Sequence, residues 1–376
     1  MARRTRVLHS LFRVGSGGVE QTRLTLARGL DSKRYEQRIV CLDAFGALPT
    51  MLDAAGCPVT RVGDSLSIFA ARAYRDVVKM IREWNPDIVH GAVYEGVAMA
   101  TVAGRLARVP VVIGEETSEP VGRSGAGNTL YRLLCGLTDR MVAVSPAVVD
   151  YLVKGIHVPA GKVTLVANGV ASPGDEDTVA TREIRRRFAI EPDSFVIGTV
   201  GRLQDSNKRV SDLIRAMPAL CQSIGDARLL VVGDGEDANM LASLADELGV
   251  AERVHFCGYQ ADTSSYYRVM DVFALASAHE AFGLVLVEAM LVGLATVATR
   301  VGGIPSVVDD GVTGLLVPAL DPSSLAAALV DLHRAPARRT EMGARGKARA
   351  EAHFGAARYV DAIDHLYTQC LENARR

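Results

Sequence analysis

The chain of 376 residues is long enough for about two domains of ordinary size. Hydrophobic residues at 49% and charged residues at 23% exclude a disordered chain. A formal net charge of −1 and only 5% aromatics exclude a general nucleic-acid binder built on stacking platforms.

The charge is unevenly placed. Residues 1–173 carry a net +6 and residues 174–376 a net −7. Scatter in an Arg-rich chain is one explanation. The other is that the basic half meets an anionic acceptor or lies peripherally on a membrane surface. Cys41, Cys57, Cys135, Cys221, Cys257 and Cys370 show neither disulfide-framework nor zinc-ligand spacing. They read as small buried hydrophobes in a reducing compartment, which makes the expected localisation cytoplasmic. Arg13 interrupts the apolar N-terminal stretch, and no small-residue cleavage site follows, so that stretch reads as a strand rather than a signal peptide. The longest apolar run, Leu284–Ala298, is 15 residues with Glu288 inside it, too short and too charged to span a bilayer.

In chain order, short β-branched runs alternate with helical periods. Strands are expected at Arg6–Phe12, Gln37–Leu42, Val59–Val62, Ile88–His90, Val111–Gly114, Met141–Val144 and Val163–Val166. Amphipathic helices are expected at Gln21–Leu30, Ala71–Trp84 and Glu95–Ala107. Residues 173–192 are polar, with Pro173 and Pro192 near their ends, and read as a linker. The rhythm restarts with strands at Phe195–Val200, Arg228–Val232, Val254–Cys257, Val272–Leu275, Thr296–Thr299 and Gly314–Val317. The last 40 residues read as helix, with a bend at Gly355. This alternation predicts two α/β halves with doubly wound parallel sheets.

Three stretches carry chemistry. Val14-Gly-Ser-Gly-Gly-Val-Glu20 follows a strand and opens a helix, where glycines and free N–H groups suit an anion. It lacks the third Gly of a dinucleotide fingerprint, and no Gly-Lys-Ser/Thr follows; an unliganded tight turn is the plain alternative. Gly201-Arg202-Leu-Gln-Asp-Ser-Asn-Lys208-Arg209 follows the strand Phe195–Val200. Its Arg and Lys form a sensible clamp for a diphosphate at the carboxyl end of a strand, against the alternative of a solvated basic loop. His279-Glu280-Ala-Phe282-Gly283-Leu284-Val285 opens a helix near Leu284 that carries Glu288 on its second turn. Amides from Phe282 to Val285 are then free for phosphate or sugar oxygens. Glu288 sits in an otherwise apolar helix, where an unpaired charge is costly. A hydroxyl-rich ligand explains it, and so does a core salt bridge.

Taken in order, Gly-Gly-x-Glu, Gly-Arg-x5-Lys and Glu-x7-Glu resemble the retaining glycosyltransferases of family 4. Asn168-Gly-Val170, Val232-Gly-Asp-Gly235, Phe256-Cys-Gly-Tyr259 and Arg300-Val-Gly-Gly-Ile-Pro305 support the likeness, which is dense over residues 195–332. The resemblance implies the GT-B fold, an α/β pair of doubly wound Rossmann-like domains facing a central cleft. Residues 1–172 would be the acceptor-side domain, with helix 355–376 packing back on it, and residues 193–354 the sugar-nucleotide domain. It further implies that Arg202 and Lys208, after Gly201, hold the nucleotide diphosphate, and that Glu280 binds the donor sugar. Amides of Phe282, Gly283, Leu284 and Val285 would contact sugar and phosphate. Glu288 would accept the ribose hydroxyls, and Gly258 and Tyr259 would lie beside the base. Gly17 and Gly18 would face the diphosphate from the other domain. Where family members carry a His after the fifth strand, this chain has Glu116, so Glu116 is a candidate for touching the acceptor or sugar. His90 is a weaker candidate that also fits a buried structural role.

The implied activity is transfer of a hexose-type sugar from a nucleotide diphosphate sugar, UDP favoured over GDP, to a hydroxyl of a glycan, lipid-linked or small-molecule acceptor. No cofactor or metal is expected, because Arg202 and Lys208 supply the positive charge. Asp175-Glu-Asp177 matches a metal-binding pattern but falls in the polar linker. The alternatives are a sugar-nucleotide hydrolase or epimerase, and a catalytically silent binding module.

Overall fold

The computed structural model describes residues 3–15, 17–62, 71–118, 123–174 and 178–376. Asp175–Asp177 therefore lies outside the described residues. The chain divides into two compact units, Met1–Ala171 with Ala356–Arg376, and Ser172–Gly355.

The first unit holds strands β1 (Thr5–Val14), β2 (Tyr35–Ala44), β3 (Val59–Arg61), β4 (Ile88–Ala92), β5 (Val111–Glu116), β6 (Arg140–Ala143) and β7 (Val163–Leu165). They form one parallel sheet in the order β3-β2-β1-β4-β5-β6-β7. Every residue of β4 and β5 is buried, as in a parallel sheet covered on both faces. β1 and β2 run longer than the hydrophobic pattern indicates, because their pairing continues from Thr5–Tyr35 to Val14–Ala44. Helix Ala71–Trp84 buries Ala73, Val77, Ile81 and Trp84 at helical spacing and turns its charged residues outward. Helix Gly18–Gly29 starts three residues earlier than expected, with Gly17 as its extended N-cap.

The last helices are Pro336–Phe354 and Ala356–Arg375, broken at Gly355. Ala356–Arg375 belongs to the first unit, where Tyr359, Val360, Ile363, Leu366, Tyr367 and Cys370 share one core with β1, β4 and β5. A buried polar network lies beside that core. Arg23 pairs with Glu115, and both are fully buried. His90 places Nε2 3.1 Å from Glu115 and Nδ1 2.8 Å from the Tyr367 hydroxyl. Burial alone raises the Glu115 carboxyl, but Arg23 and His90 hold it well below the usual carboxylate range. Burial and Arg23 lower the His90 pKa, while Glu115 raises it.

The second unit holds β8 (Phe195–Val200), β9 (Ala227–Val232), β10 (Val254–Gly258), β11 (Val272–Leu275), β12 (Ala295–Thr299) and β13 (Gly314–Val317). They form a parallel sheet in the order β10-β9-β8-β11-β12-β13. The expected linker differs from the structure: Thr178–Arg187 is helical. It lies between the two prolines, and three arginines in its last turn suit the helix C-terminus. Arg185 donates to Val269 O at 3.4 Å, which ties this helix to the second unit.

Candidate functional site

In the second sheet the strand order reverses between β8 and β11. Ligands of open parallel sheets bind outside the carboxyl ends of strands at such a point. The segment after β8 is Gly201–Arg209, and the segment after β11 is Ala276–Gly283. Two of the sequence motifs therefore meet at one place.

Backbone contacts fix both loops. Leu203 N donates to Asp234 O at 2.9 Å, and Asp237 N to Leu203 O at 3.1 Å. A Cβ on Gly233 would lie 1.9 Å from Gly201 O, and one on Gly235 would lie 2.3 Å from Leu203 O. Only glycine permits this approach of the loops after β8 and β9. Ala278 N donates to Asn207 O at 2.8 Å, which joins the loops after β8 and β11. Gly303 N donates to Glu280 O at 2.8 Å, so the Gly-Gly-Ile-Pro stretch anchors the Glu280 backbone.

On this scaffold Lys208 Nζ donates to Glu280 Oε2 at 2.6 Å, with both side chains largely buried. Ser277 Oγ lies 3.3 Å from the same carboxylate oxygen. The neighbouring Arg209 turns the other way, in left-handed backbone, and bonds Asp212 at 2.7 and 3.0 Å. Arg202 is exposed, and its guanidinium has no partner among the described residues. The geometry thus presents one free cation and one cation poised against a carboxylate.

Helix Leu284–Leu291 begins beside this pair, with Gly283 at its N-cap in left-handed backbone, φ +92°. The amides of Phe282, Gly283, Leu284 and Val285 have no hydrogen-bond acceptor among the described residues. They form an anion-favouring edge next to Glu280. Phe282 is buried against Phe354, ring centroids 5.6 Å apart, which anchors the turn. Glu288, one turn in, accepts from the Tyr267 hydroxyl at 2.7 Å. Burial pushes the Glu288 carboxyl above the ordinary range, against the pull of that hydrogen bond. The partner is a phenol rather than a salt-bridging cation, and no sequence spacing marks Tyr267. Gly258 closes β10 at φ +68°, and Tyr259 after it is exposed.

The other expected residues lie in the first unit. Gly18 is the first residue of helix Gly18–Gly29, and Glu20 lies in the first turn. Glu116 ends β5 and is buried. Its Oε1 accepts from Thr117 N and Ser118 N, both at 3.0 Å, and from Ser118 Oγ at 2.9 Å. Burial raises this carboxyl, while Tyr131, Ser118 and Arg123 pull it down. Arg123 was not singled out by the sequence. Its guanidinium stacks 4.7 Å from the Tyr94 ring and 4.4 Å from the Tyr131 ring, and it donates to Tyr151 OH at 2.9 Å. A lone arginine outside any motif gives no linear signal of such a cage.

Residues 194–335 match the family described as "Glycosyl transferases group 1", and residues 17–169 the "Glycosyl transferase 4-like domain". A D-inositol 3-phosphate glycosyltransferase from Thermobifida fusca is 32% identical over 310 residues, 78% of this chain and 67% of the relative. The chain belongs to the group 1 glycosyltransferases. A D-inositol 3-phosphate glycosyltransferase from Segniliparus rotundus is 33% identical over 268 residues, 68% of this chain and 57% of the relative. In a third relative of the same name, from Actinosynnema mirum, the chain also spans only 58% of the length. Among solved structures, Anabaena HepE in complex with UDP-glucose superposes with a TM-score of 0.86 at 23% identity, covering 97% of this chain and 99% of that one. Sucrose-phosphate synthase from Thermosynechococcus elongatus gives 0.80 at 20% identity, covering 99% and 100%. This group 1 chain thus has the GT-B fold, with two Rossmann-like parallel-sheet units. Among the described residues no group of three or more His, Cys, Asp or Glu side chains is placed to hold a metal ion. Among them, no helix is long and apolar enough to cross a membrane.

Proposed function

We propose that the chain is a retaining glycosyltransferase that moves a hexose-type sugar from a nucleotide diphosphate sugar to an acceptor hydroxyl. The observation that carries this reading is the Lys208–Glu280 pair beside Arg202 and the open amides of Phe282–Val285, all at the switch point of the second sheet. Cations and amides suit a diphosphate, and a carboxylate beside them suits sugar hydroxyls. UDP is the favoured nucleotide, in line with the UDP-glucose named for HepE.

In the proposed step the bond between the anomeric carbon and the terminal diphosphate oxygen breaks. The acceptor hydroxyl oxygen bonds to the same carbon on the same face, and its proton passes to the departing diphosphate. Arg202 and Lys208 neutralise the charge that develops there, so no metal is needed; turnover abolished by a chelator and restored by magnesium would overturn that part. Glu288 takes the ribose hydroxyls. On the acceptor side, the Arg123–tyrosine cage next to Glu116 suits an anionic group. The relatives named D-inositol 3-phosphate glycosyltransferase support an acceptor of that kind.

The test is thermal unfolding with UDP, GDP, ADP and dTDP, on wild type and Arg202→Ala. A ligand at a hundred times its dissociation constant stabilises by about 2.7 kcal/mol. One nucleotide, UDP, should shift wild type and leave the variant unmoved. No shift with any of the four would sink the donor-site assignment.

A further inference from the structure

Glu288 has two carboxyl oxygens, and the fold occupies one of them. Oε2 accepts from the Tyr267 hydroxyl at 2.7 Å. Oε1 has no hydrogen-bond partner among the described residues. Glu288 is half-buried, and this open oxygen is not sealed from solvent. Tyr267, by contrast, is fixed by the core. It is 2% exposed, with its ring centroid 5.6 Å from that of Phe273 on β11. Its hydroxyl also lies 3.4 Å from Val285 O, in the first turn of the helix that carries Glu288. A phenol has one proton to give, and the shorter contact takes it. Burial and the neighbouring Glu288 push the Tyr267 phenol well above its ordinary value, so it stays a donor.

The choice of partner matters. An Arg opposite Glu288 could take both oxygens and close the pair. A single neutral donor does less: it stops the carboxyl from rotating and leaves one oxygen free to accept. A carboxyl that cannot rotate is ready for a pair of adjacent hydroxyls, and a site built to bond a hydroxyl rejects the analogue that lacks it. Tyr267 belongs to helix Ser264–Val269, in the segment that leads from Gly258 and Tyr259 at the end of β10 to β11. The segment that follows the expected base-side residues therefore also holds the ribose-side carboxyl. We infer that Tyr267 is a positioning residue for ribose recognition: by holding Glu288 Oε2 it keeps Oε1 set for the ribose diol, and so makes the site prefer ribonucleotides to 2′-deoxyribonucleotides. This inference rests on the donor-site reading above.

The experiment is calorimetric titration of the full chain with UDP and with 2′-deoxy-UDP. Wild type should bind UDP about tenfold or more tighter than the deoxy form. Tyr267→Phe keeps the ring against Phe273 and removes only the hydroxyl. It should cut that preference to about threefold or less, chiefly by weakening UDP, with 2′-deoxy-UDP binding near that of wild type. Tyr267→Leu, which also lacks the hydroxyl, carries the same expectation as a second variant. Glu288→Ala should lose the preference, and adding Tyr267→Phe to it should lower the preference no further, because the two act as one unit. A merely structural Tyr267 would weaken both nucleotides alike and leave their ratio unchanged. Wild type that binds neither nucleotide takes down the donor-site reading and this inference with it. Three outcomes overturn the inference while the donor site stands: wild type binding both nucleotides equally, a Tyr267→Phe variant that keeps the wild-type ratio, or a Tyr267→Phe effect that persists in the Glu288→Ala background.

Discussion

Position 288 places a carboxylate on the half-buried flank of an eight-residue helix whose other residues are all apolar and whose first turn faces the candidate site. Its raised pKa means that the folded state keeps the proton to higher pH than the unfolded chain does. The stabilising contribution is therefore present below the ordinary carboxylate value and is lost as pH rises through the raised one. The cause is burial, which disfavours the charged carboxylate against the pull of the Tyr267 hydrogen bond. Glu288→Gln should raise the unfolding temperature at pH 7.5 by about 2–4 °C, the shift that ~1 kcal/mol gives in a unit of this size. The gain should vanish near pH 4, and the shift produced by UDP should shrink. Equal unfolding temperatures at both pH values would remove the buried-charge cost. The residue scale also shows where spacing stops informing. Lys208 and Arg209 are adjacent cations in one motif, and only the left-handed backbone at Arg209 sends one to Asp212 and leaves the other for Glu280.

At the scale of elements, the site depends on loops held by backbone rather than by side chains. Gly233 has φ +138° and no room for a Cβ against Gly201 O. Gly225 has φ +81° at the end of helix Val210–Ile224, with open space around it. Gly233→Ala and Gly225→Ala should each cost about 1–3 kcal/mol of stability in backbone strain. The first should also abolish nucleotide binding, because the loop carrying Arg202 must move, while the second should leave it intact. Loss of binding in both variants would mean that strain alone, not loop contact, explains the first. The elements themselves were legible: among the described residues, all thirteen strands lie where β-branched runs predict them. The helix Thr178–Arg187 was not, because flanking prolines and high polarity dominate the stretch around it, and one buried apolar residue in the helix, Ile184, gives no periodicity.

At the scale of the molecule, the first unit is discontinuous in sequence. Helix Ala356–Arg375 returns to it and supplies six buried side chains to its core. At roughly 1.5–3 kcal/mol for each buried apolar side chain, that contribution is comparable to the whole stability of a domain, about 5–15 kcal/mol. The same helix partners His90 and Arg23 through Tyr367 and Tyr359. A fragment of residues 1–171 should show no cooperative unfolding transition, and a fusion of that fragment to residues 356–376 through a flexible linker should restore one. A fragment that folds without the helix would show that the shared core is dispensable.

Sequence by itself determined the two parallel α/β units, the order of their elements and the motifs that carry the family likeness. Those features follow from local period, turn chemistry and spacing, which are written along the chain. The tertiary structure alone decided which charges meet. The Lys208–Glu280 pair, the Tyr267 partner of Glu288, the Arg123 cage and the burial of Glu115 with Arg23 join residues from different crossovers. Whether such a side chain is a free ligand-binding group or a satisfied structural one depends on what the fold brings opposite it, and no linear spacing encodes that.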